Sequence, residues 1–276
     1  VHRAGTDDAT TLDPHKVGYP GETTIMSDLF VGLTTLDAAA KVIPGCAESW
    51  TVSADGRSYT FKLRPTAEWS NGDRLIAEDF AFAFRRLVDP KTASQYALMR
   101  EPLVNATDIV AGRQPASALG VFAADEATLV VELAEPSPYF IAMLSHPSTF
   151  PVHRATLASN PQDFARPGTA VTNGAFVPVE WQIGSHILAV RNLHYWNDAA
   201  NRIDAVRYVH VADPVTELTR FRAGDLDITY TVPPGEVARL ERELPGQLRI
   251  APHVGVYYYG YALDLPPFRD AQKLRQ

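Results

Sequence analysis

Residues 69–90, WSNGDRLIAEDFAFAFRRLVDP, constrain the fold most strongly, because they predict a turn followed at once by a buried helix. The letters SNG supply turn chemistry, since asparagine and glycine tolerate the left-handed backbone that tight turns need. Phe80, Phe84 and Leu87 follow one another at helical spacing, so they share one face of a helix over residues 77–87. Such a face must be buried, and the rest of the chain must therefore supply a hydrophobic core.

The ends of this helix carry the charges that a helix dipole favours. Glu78 and Asp79 fall in its first turn, and Arg85 and Arg86 fall in its last turn. Pro90 stops the helix, because a proline forces the residue before it out of the helical region. Charge, periodicity and turn chemistry therefore all predict the same short helix.

Composition excludes several classes of function. The 276 residues are 46% hydrophobic and 21% charged, which is typical of a globular protein with one large or two ordinary domains. The net charge of −7 argues against nucleic-acid binding, which needs a basic surface. No apolar run approaches the ~20 residues of a membrane-spanning helix. Cys46 is the only cysteine, so it can form no internal disulfide, and we expect a small buried residue rather than a reactive thiol.

The sequence contains no motif typical of an enzyme. There is no GxSxG, HExxH, Walker A or GxGxxG pattern. The eight histidines are scattered, and no two of them lie four residues apart on an evident helix. We therefore expect no catalytic residues, no metal site and no cofactor.

Several spaced motifs together resemble a known family. AESW, DGRSYTFKLR, WSNG and RLVDP follow one another over residues 47–90, and VTNGAF, RNLHYW and PFRD come later. This set resembles the periplasmic oligopeptide-binding proteins of ABC importers, which are solute-binding proteins of family 5. Ile76 departs from the pattern, since the family usually has a threonine there that caps the helix. Loss of that cap costs about 1 kcal/mol.

The resemblance implies a mixed α/β fold of the periplasmic-binding-protein type, in which two lobes close on a ligand. Residues 1–30 and 150–255 are expected to form lobe I, with residues 31–149 as a subdomain inserted into it. Residues 256–276 would be the first strand of a truncated lobe II. The resemblance covers nearly all of this chain but about half of a family member. We therefore expect the N-terminal half of an exported protein, without its signal peptide.

The first ligand-binding candidates are Gly18, Tyr19 and Pro20. From the residues alone they form a loop, because glycine and proline interrupt regular structure. The resemblance implies more, namely that this segment offers backbone groups to a bound peptide lying against it as an extra strand. The apolar spacing in residues 22–33 then predicts the first helix.

The other candidates are aromatic or polar residues later in the chain. Residues 257–261 predict a strand whose alternate rings face opposite sides, so half of them are core and half could line a cavity. The resemblance places Tyr258 in the ligand cavity, together with Tyr230, Thr231 and His146. From the residues alone, Tyr258 fits the core better than a cavity, and His146 fits a structural histidine.

The resemblance implies a periplasmic protein that captures oligopeptides and delivers them to the permease subunits of an ABC transporter. We expect a monomer without catalytic activity and without a nucleic-acid partner. Within the same class, the ligand could instead be a dipeptide, a murein peptide or a metal chelate. A different class is a sensory or interaction protein that keeps the fold without transport. A hydrolase is the least favoured, because the nucleophile motifs are missing.

Overall fold

The computed structural model describes residues 1–5, 8–97, 102–250, 259–260, 262–266 and 269. The chain divides into two compact units, Val1–Pro233 and Pro234–Gln276. The strands of the first unit are β1 (His2–Gly5), β2 (Thr34–Leu36), β3 (Val42–Pro44), β4 (Ala47–Val52), β5 (Ser58–Leu63), β6 (Val121–Asp125), β7 (Thr128–Glu132), β8 (Phe176–Gln182), β9 (His186–Arg191) and β10 (Ala205–His210). Its helices are α1 (Pro20–Leu29), α2 (Ala77–Val88), α3 (Ala106–Val110), α4 (Phe140–Met143), α5 (Arg154–Ser159) and α6 (Pro214–Ala223). The second unit contains α7 (Val237–Glu243).

Two four-stranded sheets organise the first unit. One has the order β1-β10-β9-β8, with β1 parallel to β10 and the other pairs antiparallel. The other is antiparallel with the order β4-β5-β7-β6. The first sheet draws on residues predicted for lobe I, and the second on residues predicted for the inserted subdomain. The division into lobes itself stays a prediction, and most of residues 256–276 lie outside the described residues.

The helix predicted over residues 77–87 is α2, which packs on β6 and β7. Its predicted apolar face is in the core, with Phe80, Phe84 and Leu87 at most 1% exposed. Ile76 is its N-cap and has no side-chain oxygen to offer the first turn. Asp79 supplies the other half of a capping box, because its Oδ2 accepts from the Ile76 backbone N–H at 3.0 Å.

A buried ion pair joins the end of α2 to the segment before α1. The Arg86 guanidinium donates to both oxygens of Asp13, at 2.9 and 2.6 Å. It also donates to Nδ1 of the fully buried His15 at 2.8 Å. An arginine cannot accept, so the proton of His15 lies on Nε2, which donates to the Phe150 carbonyl at 3.0 Å. These contacts explain why Asp13 and His15 lie together in the LDPH sequence.

The segment after α1 is fastened by Asn173. Its side-chain amide accepts from the Val31 N–H at 3.1 Å and donates to the Val31 carbonyl at 2.9 Å. It also contacts the Sγ atom of Cys46 at 3.3 Å. Burial raises the pKa of the Cys46 thiol to about 12, which confirms the expectation of a buried, unreactive cysteine.

The prediction of a helix over residues 22–33 is wrong at both ends. Helix α1 begins earlier, at Pro20, because proline fits the first helical position. It ends at Leu29, and Phe30 is already extended. Gly32 then passes so close to the Leu144 carbonyl oxygen that a Cβ atom would lie 2.5 Å from it. Tertiary packing therefore ends the helix although the apolar spacing continues.

Candidate functional site

One buried carboxylate holds the loop that precedes α1. Glu22 lies in the first turn of α1 and is 1% exposed. Its Oε2 accepts from the backbone N–H groups of Gly18 at 2.7 Å and Tyr19 at 3.2 Å. Its Oε1 accepts from the backbone N–H and the hydroxyl of Thr10, at 2.8 and 2.7 Å. Four donors therefore fix the loop to the start of the helix.

The fixed loop offers acceptors and an aromatic ring rather than N–H donors. Tyr19 is 52% exposed, and Pro20 is also exposed. The Tyr19 carbonyl accepts from the Thr23 N–H at 3.2 Å, whereas the Gly18 carbonyl accepts no hydrogen bond from any described residue. Because Glu22 already binds the N–H groups of Gly18 and Tyr19, any strand that paired with this loop would have to supply the N–H donors itself.

His146 is connected to this loop through Gln95 and Tyr96. A Cβ atom on Gly18 would lie 3.2 Å from the Gln95 amide nitrogen, so the Gln95 side chain packs closely on the backbone of the loop. The ring of the next residue, Tyr96, lies 4.6 Å from the His146 ring at an angle of 54°. His146 Nδ1 accepts from the Ser148 N–H at 3.2 Å and thereby caps a short 3₁₀ turn. His146 is thus a structural cap whose ring also faces an aromatic neighbour.

Tyr230 and Thr231 are held by a second buried carboxylate. Glu217, on α6, is fully buried, and its two oxygens accept from the Tyr230 N–H and from the Thr231 hydroxyl. The contact to Thr231 measures 3.2 Å. Tyr230 lies in a cleft beside α1, where Gly21 also contributes to the wall. The structure therefore brings Tyr230 to the same helix that follows the Gly18 loop.

Tyr208 lines this cleft and pairs with a half-buried carboxylate. The Tyr208 hydroxyl donates to Asp28 Oδ2 at 2.7 Å, and Arg3 Nη1 lies 3.8 Å from the same oxygen. Burial raises the pKa of Asp28, although the Tyr208 hydrogen bond and the Arg3 charge both lower it. Burial, followed by the negative charge of Asp28, raises the pKa of Tyr208 well above its ordinary value. Tyr208 therefore stays a hydrogen-bond donor at any physiological pH.

The predicted site residues are partly brought together. The loop of Gly18, Tyr19 and Pro20 is joined to His146 on one side of the start of α1, and Tyr230 lies in the cleft on another. Tyr258 lies outside the described residues. The binding role of all these residues stays a prediction.

Sequence reasoning missed Glu22, Tyr96 and Glu217. Glu22 had a local signal, because it comes two residues after Pro20 at the start of a helix, where a carboxylate can reach back to free N–H groups. Tyr96 had only its apolar spacing with Met99 and Leu103 as a signal, and Glu217 is one charged residue on a polar helix. Neither of these two carries a sequence signal for its long-range contact.

Within the described parts of the chain, no group of three or more histidine, cysteine, aspartate or glutamate side chains is arranged to hold a metal ion. Among the same residues, no helix combines the length and apolar character needed to cross a bilayer. The arrangement at α1 can bind through hydrogen bonds and aromatic contact.

The mixed α/β fold and these motifs are those of one class of bacterial solute-binding proteins. The family model described as "Bacterial extracellular solute-binding proteins, family 5 Middle" matches residues 41–276. The chain belongs to this family, which confirms the resemblance deduced from its motifs.

Relatives and solved structures agree with this assignment. The periplasmic oligopeptide-binding protein OppA of Escherichia coli K12 is 38% identical over 98% of this chain and 50% of its own length. The probable deoxycholate-binding periplasmic protein YgiS of the same organism is 40% identical over 97% of this chain and 50% of its own length. The crystal structure of Haemophilus influenzae OppA in complex with RPPGFSPFR superposes with a TM-score of 0.93 and 35% identity, covering 98% of this chain and 53% of that one. These matches confirm the predicted fold, and the chain spans about half the length of the curated relatives it matches.

Proposed function

We propose that this chain is the peptide-contacting part of a periplasmic binding protein that captures oligopeptides and delivers them to the permease of an ABC transporter. The observation that carries the proposal is the loop fixed by Glu22, which exposes the Tyr19 ring and leaves the Gly18 carbonyl as a hydrogen-bond acceptor. A relative of known structure was solved with a peptide and matches nearly this whole chain, which supports the same ligand class.

Binding through main-chain hydrogen bonds suits an importer of mixed peptides. A strand that pairs with the Gly18 carbonyl is recognised by its backbone, so its side chains remain free to vary. The contact of Tyr96 with His146 adds an aromatic surface beside the loop. We propose that Tyr258 and Tyr230 complete the cavity, that the protein acts as a monomer without nucleic acid, and that it performs no catalysis.

A second candidate ligand is deoxycholate, because a relative named for binding it is 40% identical to this chain. Dipeptides, murein peptides and metal chelates remain candidates within the same class. An interaction protein that retains the fold without a ligand is the alternative from another class.

The test is the melting temperature of the purified protein with a mixed peptide pool, with deoxycholate and with neither. A ligand at about one hundred times its Kd adds about 2.7 kcal/mol of stability, which raises the melting temperature by roughly 5 °C or more. We expect this rise with peptides, and we expect Tyr19→Ala to reduce it. Phe122→Ala, which removes an exposed aromatic ring from β6, is the matched control.

The outcomes separate the candidates. A rise with deoxycholate alone assigns the second ligand and contradicts peptide capture. No rise with any ligand contradicts both and favours the interaction protein. A peptide-induced rise that Tyr19→Ala and Phe122→Ala leave equally large would keep the ligand class but remove the loop from the binding site.

A further inference from the structure

A second cleft lies between the first sheet and the end of α6, and two arginine and three histidine side chains line it. Arg207 on β10, Arg220 on α6 and the imidazoles of His2, His186 and His210 line it. It meets the cleft beside α1 at His186 and His210, which line both. The Arg207 side chain nevertheless lies on the face of the sheet opposite to Tyr208, which lines the cleft beside α1. This follows because the two residues are neighbours in β10, and neighbouring strand residues point in opposite directions.

Arg207 occupies this cleft without a direct carboxylate partner. Its Nη2 lies 2.7 Å from His186 Nε2. A guanidinium can only donate, so this nitrogen of His186 accepts and its ring carries its proton on Nδ1, beside the Ser185 hydroxyl at 3.0 Å. Glu180 lies 3.3 Å from the same Nε2, but that nitrogen has no proton left to donate to it. Among the described residues, Arg207 forms no ion pair.

Two buried polar atoms in this cleft also lack a partner. Arg207 Nε and His210 Nδ1 are both inaccessible to solvent and make no hydrogen bond to any residue that the structure describes. A buried donor of a charged group is costly to leave unpaired, so native proteins nearly always supply an acceptor. Arg207 itself lines the cleft and is only half-buried, so the guanidinium donors that His186 leaves unbound can meet an acceptor from solution.

Arg220 adds a second permanent positive charge. It lies in the last turn of α6, is half-buried and makes no ion pair with any described residue. Asp225 is the only carboxylate among the described residues that line the cleft, and it is exposed at the rim. Among the described residues that line the cleft there are thus two guanidinium groups and one carboxylate, while Glu180 lies beside His186.

We propose that this cleft binds a phosphate-type oxyanion, with Arg207 as the main anchor and Arg220 as the second charge. A guanidinium offers parallel N–H donors that match two oxygens of a phosphate group, and such charge-assisted bonds are the strong ones. The anion is either free inorganic phosphate or the phosphoryl group of a small phosphorylated solute. This site is separate from the peptide-contacting loop and does not depend on it.

Calorimetric titration of the purified protein with inorganic phosphate, at neutral pH and constant ionic strength set by chloride, tests the proposal. We expect saturable binding that Arg207→Gln and Arg220→Gln each weaken by about tenfold or more, since each removes a charged donor. Arg202→Gln is the matched control, because Arg202 is an exposed arginine that donates to the Ala199 carbonyl outside the cleft. It should bind phosphate as the unchanged protein does.

A parallel titration with glycerol phosphate separates the two sources of the anion. Saturation by phosphate itself assigns the free anion, and saturation by glycerol phosphate alone assigns a phosphorylated solute; both support the site. No saturable heat with either, or equal affinity in all three variants, overturns it. If Arg207→Gln lowers the melting temperature, its weaker binding could come from lost structure, and the phosphate affinity of Arg220→Gln then decides whether the cleft binds the anion. Peptide binding by these variants should be unchanged, so failure of the anion site is distinguishable from failure of peptide capture.

Discussion

At the scale of single residues, the pair of Asp13 and Arg86 shows how this core accommodates charge. Both oxygens of Asp13 are bound by one guanidinium, and both side chains are nearly buried. Burial raises the pKa of Asp13. The hydrogen bonds and charge of Arg86, together with the hydrogen bond from the His15 backbone N–H, outweigh burial and hold the pKa below its usual value. The charged form is therefore the one that the fold stabilises.

Removing this carboxylate should change both the stability and its pH dependence. We expect Asp13→Asn to lower the free energy of unfolding by about 3–5 kcal/mol at neutral pH, because it leaves Arg86 buried and unpaired. A carboxyl whose pKa is lowered by folding contributes stability above its unfolded pKa of about 3.9, and loses it as the pH falls through the folded value. The free energy of unfolding, measured in urea, should therefore fall less steeply below about pH 4 in the variant than in the unchanged protein.

The control for this prediction is Asp204→Asn, because the Asp204 side chain is 97% exposed. Below about pH 4, the free energy of unfolding of this control should depend on pH as it does in the unchanged protein. If the free energy of unfolding fell equally steeply with acid in the Asp13→Asn variant and in the unchanged protein, the role of the buried pair would be contradicted.

At the scale of elements, the first turn of α1 positions the candidate binding loop. Glu22 is the side chain that joins helix and loop, through its contacts to Thr10, Gly18 and Tyr19, and the Thr23 N–H adds a backbone bond to the Tyr19 carbonyl. An element that is preorganised in this way binds without paying for ordering at the moment of contact. The candidate function and the local stability of this region therefore depend on the same carboxylate.

Replacement of Glu22 should weaken stability and binding together. We expect Glu22→Ala to lower the free energy of unfolding by about 3 kcal/mol, because four donors lose a charged acceptor that is itself buried. Peptide affinity should fall as well, since the loop is no longer fixed. Glu48→Ala, at an exposed position on β4, should change neither quantity in denaturant unfolding and calorimetry. Full affinity in Glu22→Ala would show that the loop is not part of the peptide site.

The contact between α1 and the segment before β8 is a second test at this scale. A Cβ atom on Gly174 would lie 2.5 Å from the Leu29 carbonyl carbon and 2.6 Å from the Phe30 nitrogen, and backbone cannot move aside easily. We expect Gly174→Ala to destabilise the protein by about 3 kcal/mol. Gly5→Ala, where no atom lies within 4 Å of the added carbon, should stay within about 0.5 kcal/mol in the same denaturant titration. Equal effects would contradict the close approach.

Elements with a strong local pattern could be predicted from the sequence. Helix α2 was predicted because periodicity, charge and a final proline coincide. The end of α1 was not, because Leu33 continues the apolar spacing while packing has already ended the helix. Strand β8 was hidden as well, since Pro178 lies inside it and a bulge follows at Glu180, which interrupts the alternation.

The candidate site follows the same rule. The Gly18 loop could be proposed from its composition and from the family resemblance. The contact of Tyr96 with His146 joins residues 50 positions apart, and the contact of Glu217 with Tyr230 depends on how α6 folds back. Such pairings are set by tertiary packing, and no local pattern in the sequence encodes them.

At the scale of the whole molecule, family membership and the fixed loop lead to the same account. The chain belongs to family 5 of the bacterial extracellular solute-binding proteins and spans about half the length of its curated relatives. Its peptide-contacting surface is proposed to lie at the start of α1. The anion cleft beside Arg207 is proposed as a separate site of the same unit.

The measurement that tests the central claim most directly is photo-crosslinking of a peptide to the purified protein, followed by mass spectrometry of the labelled fragments. The account predicts labels in residues 17–20 and around Tyr96 and His146, and their loss when unlabelled peptide is added in excess. Labels confined to other parts of the chain, or labelling that excess peptide does not reduce, would contradict it.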